Sequence, residues 1–219
     1  MKVAYIDHMG DDETPVKRAR ASYEWDSKVY TQEENDKLLD RLMREQHLWV
    51  LEGCTVTVMI EASAPITQQI MRHRTMSYNA RSRRYLSDEH TPFTFDVPQV
   101  RGDKDTEANI SQEEFEEFIN EFNNHCVEVY NQLVNEHKVA KEIARYVIPQ
   151  WMNSRFYMTG NLRNWFHFLS LRMDKHAQKE VRDIANEVYL ILLDKYPKIL
   201  TAYAKYSTNN FVNQILQWE

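Results

Sequence analysis

The sequence predicts an α+β chain in which a few short strands are set among several amphipathic helices. Three observations carry that expectation. Phe115, Phe118, Ile119, Phe122, Cys126, Val129, Tyr130 and Leu133 keep helical spacing for about six turns behind the capping sequence Ser111-Gln112-Glu113-Glu114. Residues 54–61 alternate instead, with Val56, Val58 and Ile60 on one face and Thr55, Thr57 and Met59 on the other. Helical spacing returns beyond Asn161 and is broken by Pro197.

The remaining elements follow in order. Val3 and Tyr5 alternate with their neighbours, so residues 2–7 read as a short strand. A polar loop with Gly10 and Pro15 leads to a small basic cluster, Lys17 to Tyr23. Thr31-Gln32-Glu33-Glu34 is a second capping box, and Leu38, Leu39, Leu42 and Met43 share a face of the helix it opens. His47 and Trp49 fall near its end, with Gly53 as a helix stop. Pro65 predicts a short helix through about Arg74 that puts Gln69, Arg72 and His73 on one side. A loop then carries Asn79 and Ser82, and residues 86–110 read as irregular. A helix over 138–148 places Arg145 in its last turn before Pro149. Phe156–Thr159 reads as a strand stopped by Gly160. Asn161 caps a helix through Leu171, on which Arg163 and His167 are i, i+4 neighbours. Asp174 caps a further helix with Ala177, Val181, Ile184, Ala185 and Val188 inward.

Composition removes several classes of function. The 219 residues suit one domain over 1–219, with room for a helical appendage. No apolar run reaches the length of a membrane span, and Met1–His8 lacks a signal-peptide core, so a cytoplasmic chain without a membrane partner is expected. Cys54 and Cys126 form no metal-type pair, so reduced structural thiols and no metal are expected. There is no Gly-x-Ser-x-Gly elbow and no His-Glu-x-x-His pair. The only glycines are Gly10, Gly53, Gly102 and Gly160, which excludes a Walker loop and a Gly-x-Gly-x-x-Gly turn. Any phosphate must therefore be held largely by side chains. Net charge of -6 argues against a nucleic-acid partner.

Against that acidic background, Met71–Tyr85 gathers Arg72, Arg74, Arg81, Arg83 and Arg84, with His73, Ser77, Asn79 and Ser82 between them. Guanidinium forks match phosphate or carboxylate, and hydroxyls complete such a cradle. A solvated basic strip or a nucleic-acid patch is the plainer reading. Arg145, Arg163 and Arg172, each taken alone, read as surface or ion-pair residues.

The order R-H-R-x-x-S-x-N-x-x-S-x-R from Arg72 to Arg84 resembles the signature of the flavin-dependent thymidylate synthases. The resemblance extends from Arg18 to about Pro197. Ala19–Tyr23 is similar to the family's early Ala-Arg-x-Ser-Phe/Tyr element, and Arg145–Pro149 to its Ala-Arg-x-x-Leu-Pro element. Asn161–Phe168 is similar to the Asn-x-Arg-x-x-x-His/Asn-Phe helix, and Leu171-Arg172 with His176–Glu180 to Leu-Arg…His-Ala-Gln-x-Glu.

The resemblance implies an α+β fold with one antiparallel sheet, in a homotetramer whose active sites form at subunit interfaces. Arg72, His73 and Arg74 would bind flavin adenine dinucleotide (FAD), with Asn161, Arg163 and His167 from another subunit and His47 nearby. Gln69, Arg72, Ser82, Arg83, Arg84 and Arg145 would hold deoxyuridine monophosphate (dUMP). Arg172 would be catalytic, contacting the uracil ring. Methylenetetrahydrofolate would give the one-carbon unit and NADPH the reducing equivalents. The sequence departs from the family pattern at Ala80, where glutamate is common, at Trp49, where a small hydroxyl residue is common, and at Gly53, in place of histidine. A divergent flavin enzyme acting at uracil C5 and a non-catalytic nucleotide- or RNA-binding protein are the alternatives.

Overall fold

The computed structural model describes residues 1–22, 29–82, 84, 92–103 and 106–207. Tyr23, Arg83, Tyr85 and part of the 86–110 segment lie outside the described residues. An antiparallel sheet is built from β1 (Lys2–Met9), β2 (Thr55–Ser63), β3 (Ser77–Ala80) and β4 (Asn153–Asn161), in the order β1-β2-β4-β3. The helices are α1 (Thr14–Arg20), α2 (Gln32–Arg44), α3 (Ala64–Ile70), α4 (Gln112–Asn131), α5 (Lys141–Ala144), α6 (Leu162–Arg172), α7 (Lys179–Lys195) and α8 (Pro197–Tyr206).

The chain divides into two compact units. One comprises Met1, Glu61–Gln69 and Ala80–Phe156; the other comprises Lys2–Ile60, Ile70–Asn79 and the chain from Tyr157 onward.

In the second unit, Val56, Val58 and Ile60 of β2 are fully buried, as their alternation predicts. Helix α6 lays Leu162, Trp165, Phe166, Phe168 and Leu169 into this core. Helix α7 adds Val181, Ile184, Ala185 and Val188. The Trp165 indole N–H donates to the Val56 carbonyl at 3.2 Å, so the one polar atom of a buried ring is satisfied. Helix α2 opens on a reciprocal box: Thr31 Oγ1 accepts from the Glu34 N–H, and Glu34 Oε2 accepts from the Thr31 N–H. Leu39, Leu42 and Met43 are buried on its inner face.

In the first unit, α4 starts on the matching box at Ser111 and Glu114. It packs through Asn123, Cys126 and Tyr130, while Phe118 and Phe122 remain 70% and 47% exposed. The helical period is as expected, but the packed stripe is rotated away from the line of phenylalanines. Its last turn widens into a π turn over Gln132–Glu136.

Local expectations fail where a distant contact intervenes. Pro15 does not lie in a loop: it occupies the first turn of α1, where its missing N–H costs nothing. Helix α3 ends at Ile70, four residues short of Arg74, because the Tyr78 hydroxyl takes the Ile70 and His73 carbonyls, each at 2.9 Å. Gln69, Arg72 and His73 therefore do not share a helix face. Asn79 stands on β3 rather than in a loop. The helix expected over 138–148 is only α5 followed by a 3-10 turn, Arg145–Val147, since Ile148 before Pro149 is extended. Asp174 does not cap α7; its carboxylate accepts from the His176 N–H two residues on, an Asx turn, and α7 begins at Lys179.

Two glycines are required by close approach. Gly160 lies inside β4, where a Cβ would meet Met76 Sδ at 2.1 Å. Gly53 ends the 3-10 turn Leu48–Gly53, where a Cβ would meet Arg18 Nε at 2.0 Å. Arg18 therefore fills the space that a histidine side chain at position 53 would need.

Candidate active site

The first unit contains a cavity of about 230 Å³ bordered by Glu61, Arg81, Tyr130, Arg145 and Arg155, among others. It forms where β4 meets the segment before α4. The Arg81 N–H donates to the Arg155 carbonyl at 2.9 Å, the Asn153 N–H to the Thr94 carbonyl at 2.8 Å, and Phe95 bridges Met152. The edge of Phe93 packs on Tyr130 at 5.0 Å and closes an aromatic wall. Arg155 pairs with Glu61 at 2.6 Å. Among the described residues, its lining carries three guanidinium groups, of Arg81, Arg145 and Arg155, and one carboxylate, that of Glu61.

In the same unit, Glu142 gathers two of the arginines named from the sequence. Its carboxylate pairs with Arg84 at 3.0 Å, and its carbonyl accepts from Arg145 Nε at 3.1 Å. Ser82 Oγ accepts from the Arg84 N–H at 3.3 Å. Ser82, Arg84 and Arg145 are thus drawn to one place. Gln69 is half-buried near the end of α3.

The second unit holds the other candidates. His73 is buried at 6% exposure, while its neighbours Arg72 and Arg74 are exposed. Arg172, on the last turn of α6, donates from Nε to His73 Nε2 at 2.8 Å. Phe168 meets the His73 ring edge-on at 5.0 Å, and His167 lies at 5.9 Å. Asn161 Oδ1 caps α6 by accepting from the Asn164 N–H at 2.9 Å. Asn164 in turn donates to the Thr75 carbonyl at 2.8 Å, which ties α6 to the turn after His73. Arg163 pairs with Glu52 at 2.6 Å, and His167 and His47 are exposed.

Burial is the main force on the ionisable groups here. It pushes His73 down to about 4, helped by the Arg172 cation and by His167. It pushes the Tyr78 hydroxyl up to about 12 and opposes the charge on Arg172. An Nε2 that accepts from a guanidinium must carry a lone pair, so His73 is neutral with its proton on Nδ1.

A pH dependence follows, with a definite sign. Above the ordinary histidine value of 6.5 both folded and unfolded chains carry neutral His73. Below it the unfolded chain takes a proton that the folded chain refuses. Stability should therefore be lost as pH falls from 6.5 to about 4, by about 2–3 kcal/mol at the acid end, and level off below. The lowered carboxylates, Asp11, Asp36, Asp40 and Asp174, have an ordinary value of 3.8, so they add only at the acid end of that window. Urea unfolding of wild type and His73→Gln at several pH values checks this, because the variant should lose the slope between 4 and 6.5.

Neither cysteine suits a nucleophile. Both are free and buried, and burial pushes the Cys54 thiol up to about 11. Among the described residues no group of three or more His, Cys, Asp or Glu side chains is placed to hold a metal. No helix among them is long and apolar enough to cross a membrane.

The model of the family described as "Thymidylate synthase complementing protein" (Thy1) matches residues 4–198. The chain belongs to the flavin-dependent thymidylate synthase family. A flavin-dependent thymidylate synthase of Thermotoga neapolitana is 33% identical over 205 residues, 94% of this chain and 91% of the relative. That of Thermus thermophilus is 33% identical over 207 residues, 93% of this chain and 76% of the relative. Among solved structures, the UMP/dUMP methylase PolB from Streptomyces cacaoi, bound with 5-Br dUMP, superposes with a TM-score of 0.76. It is 26% identical, over 94% of this chain and 95% of its own.

Some of the cavity residues are ones that sequence spacing does not reveal. Arg155, Glu61 and Tyr130 line the cavity although the sequence singled out none of them for a site. Arg81, inside the basic stretch, lines it too. The one usable signal was charge: Arg155 is the one charged residue on β4 and faces outward. Tyr78, which ends α3, lies at an unspecified position of the signature.

Proposed function

We propose that this chain converts dUMP to thymidylate, with FAD as cofactor, methylenetetrahydrofolate as one-carbon donor and NADPH as reductant. The observation that carries this reading is the cavity whose described lining brings together the guanidinium groups of Arg81, Arg145 and Arg155. Guanidinium forks bind a phosphate monoester dianion in bidentate fashion. By the family resemblance, Gln69, Ser82, Arg83, Arg84 and Arg145 would hold dUMP, and Arg72 would be a further contact to it. Arg84 already binds the Glu142 carboxylate, an oxygen pair of the same geometry, which a phosphate would replace.

The donor set of the second unit fits the flavin. Arg72, Arg74 and His167 are exposed there, with the half-exposed Arg163 ion-paired to Glu52, and no glycine-rich loop is needed. Asn161 would add its amide nitrogen, since its oxygen serves the helix cap. Bound flavin would supply the redox chemistry, while the protein supplies position and charge. Arg172 is cationic and fixed, so it can stabilise negative charge developing on a uracil ring placed against it. Copies of the chain would assemble as a homotetramer that completes each site. The free thiols Cys54 and Cys126 suit the reducing cytoplasm.

The test is an absorption spectrum followed by product mass with dUMP and UMP in turn. Flavin bands and thymidylate formation are expected. A colourless protein that binds no flavin in calorimetry would overturn the proposal. Ala80, exposed at the end of β3, favours a second reading, a flavin enzyme placing another group at uracil C5, and the product mass separates the two.

Removing one phosphate contact should act on ground and transition states alike. Arg145→Ala should therefore raise KM for the nucleotide about 10–100-fold, the range for one charged hydrogen bond, with a smaller effect on kcat. Steady-state kinetics check it, and an unchanged KM would remove Arg145 from the site.

A further inference from the structure

We propose that His73 is a positioning residue that holds the Arg172 guanidinium at its working angle. The inference rests on the reading that Arg172 faces the reacting ring. Four observations support it. His73 is buried between exposed arginines, so the middle residue of Arg72-His73-Arg74 turns inward while its neighbours face solvent. Its Nε2 accepts from Arg172 Nε at 2.8 Å. That bond engages the base of the guanidinium and so sets the plane of the whole fork. Phe168 packs edge-on against the imidazole, and the Tyr78 hydroxyl donates to the His73 backbone carbonyl at 2.9 Å, so both the ring and its backbone are held.

The charged and titratable groups around it are consistent with this role. Arg172 and His167 approach from α6, Tyr78 from β3, and Arg72 from the same turn acts on Arg172. A protonated His73 would present N–H to N–H and expel the guanidinium. The low affinity of His73 for a proton keeps the acceptor available at neutral pH. Hydrogen-bonded partners of a reacting group matter because a small loss of orientation lowers the rate more than the affinity.

Two variants separate orientation from flavin contact. His73→Gln keeps an oxygen acceptor near the place of Nε2, whereas His73→Leu keeps bulk and removes it. His73→Leu should lower kcat about 10–100-fold, with KM for dUMP and flavin content unchanged, and His73→Gln should stay within about 3-fold of wild type. Adding Arg172→Ala to His73→Leu should cost little beyond Arg172→Ala alone, because both remove one interaction. Equal losses in the two His73 variants, or activity that tracks lost flavin, would overturn the proposal.

A further measurement needs neither turnover nor flavin. Imidazole nitrogen NMR of the protein alone should show His73 with its proton on Nδ1 and a hydrogen-bonded, unprotonated Nε2. In Arg172→Ala the Nε2 signal should move and the titration of His73 should shift upward. Unchanged nitrogen signals in Arg172→Ala would refute the pairing. Absence of product from wild type would overturn the thymidylate reading alone, and the nitrogen signals would still decide whether His73 holds Arg172.

Discussion

Arg172→Ala should lower kcat for nucleotide methylation by about 10²–10³-fold while flavin stays bound, the range for losing one preorganised electrostatic donor. The guanidinium is half-buried on the last turn of α6, and its Nε is fixed on His73 at 2.8 Å. Burial makes its charge more costly to hold but also more effective, since fewer waters screen it. A ring that gains negative charge only during reaction feels that effect mostly in the transition state, so kcat falls further than KM rises. Single-turnover kinetics at saturating dUMP measure it. Turnover at the wild-type rate would refute the activating role.

The second large effect is on stability. Trp165→Ala should lower the unfolding free energy by about 3–5 kcal/mol, the cost of truncating a large buried aromatic. Trp165 is fully buried, and its ring meets Phe168 edge-on at 5.6 Å. It also donates to the Val56 carbonyl of β2, which would lose that donor. Total stability for such a domain is about 5–15 kcal/mol, so much of it would go. Phe168 also supports His73, so the surviving folded fraction should be a poorer enzyme as well. Urea unfolding with Trp165→Phe alongside tests this: the phenylalanine should recover most of the loss. A deficit under about 1 kcal/mol in Trp165→Ala would contradict the packing described.

Local chemistry made part of this molecule legible in its sequence. The boxes at Thr31 and Ser111 and the cap at Asn161 each involve residues three apart, so their partners are visible on paper. The alternation in β2 needed only its own period. What escaped is non-local. Helix α3 ends early because Tyr78 captures its carbonyls from β3, and β3 itself lies inside a polar motif with no apolar face to betray it. The Arg172–His73 bond joins residues 99 positions apart, beyond any spacing rule. The roles of Arg84 and Arg145 came from family resemblance. Their meeting at Glu142 came only from the fold.

Cys54 gives the protein a chemical clock for its own opening. The Cys54 carbonyl accepts from the Leu162 N–H at 2.9 Å, so this residue anchors the first turn of the helix that ends in Arg172. Its sulfur is fully buried and its thiol stays protonated near neutral pH. Alkylating reagents can reach it only in molecules whose local structure has come apart. The labelling rate at this one atom therefore counts how often the anchor of α6 lets go, in native buffer and without denaturant. Ligands that tighten α6 should slow that clock even when they never touch the sulfur.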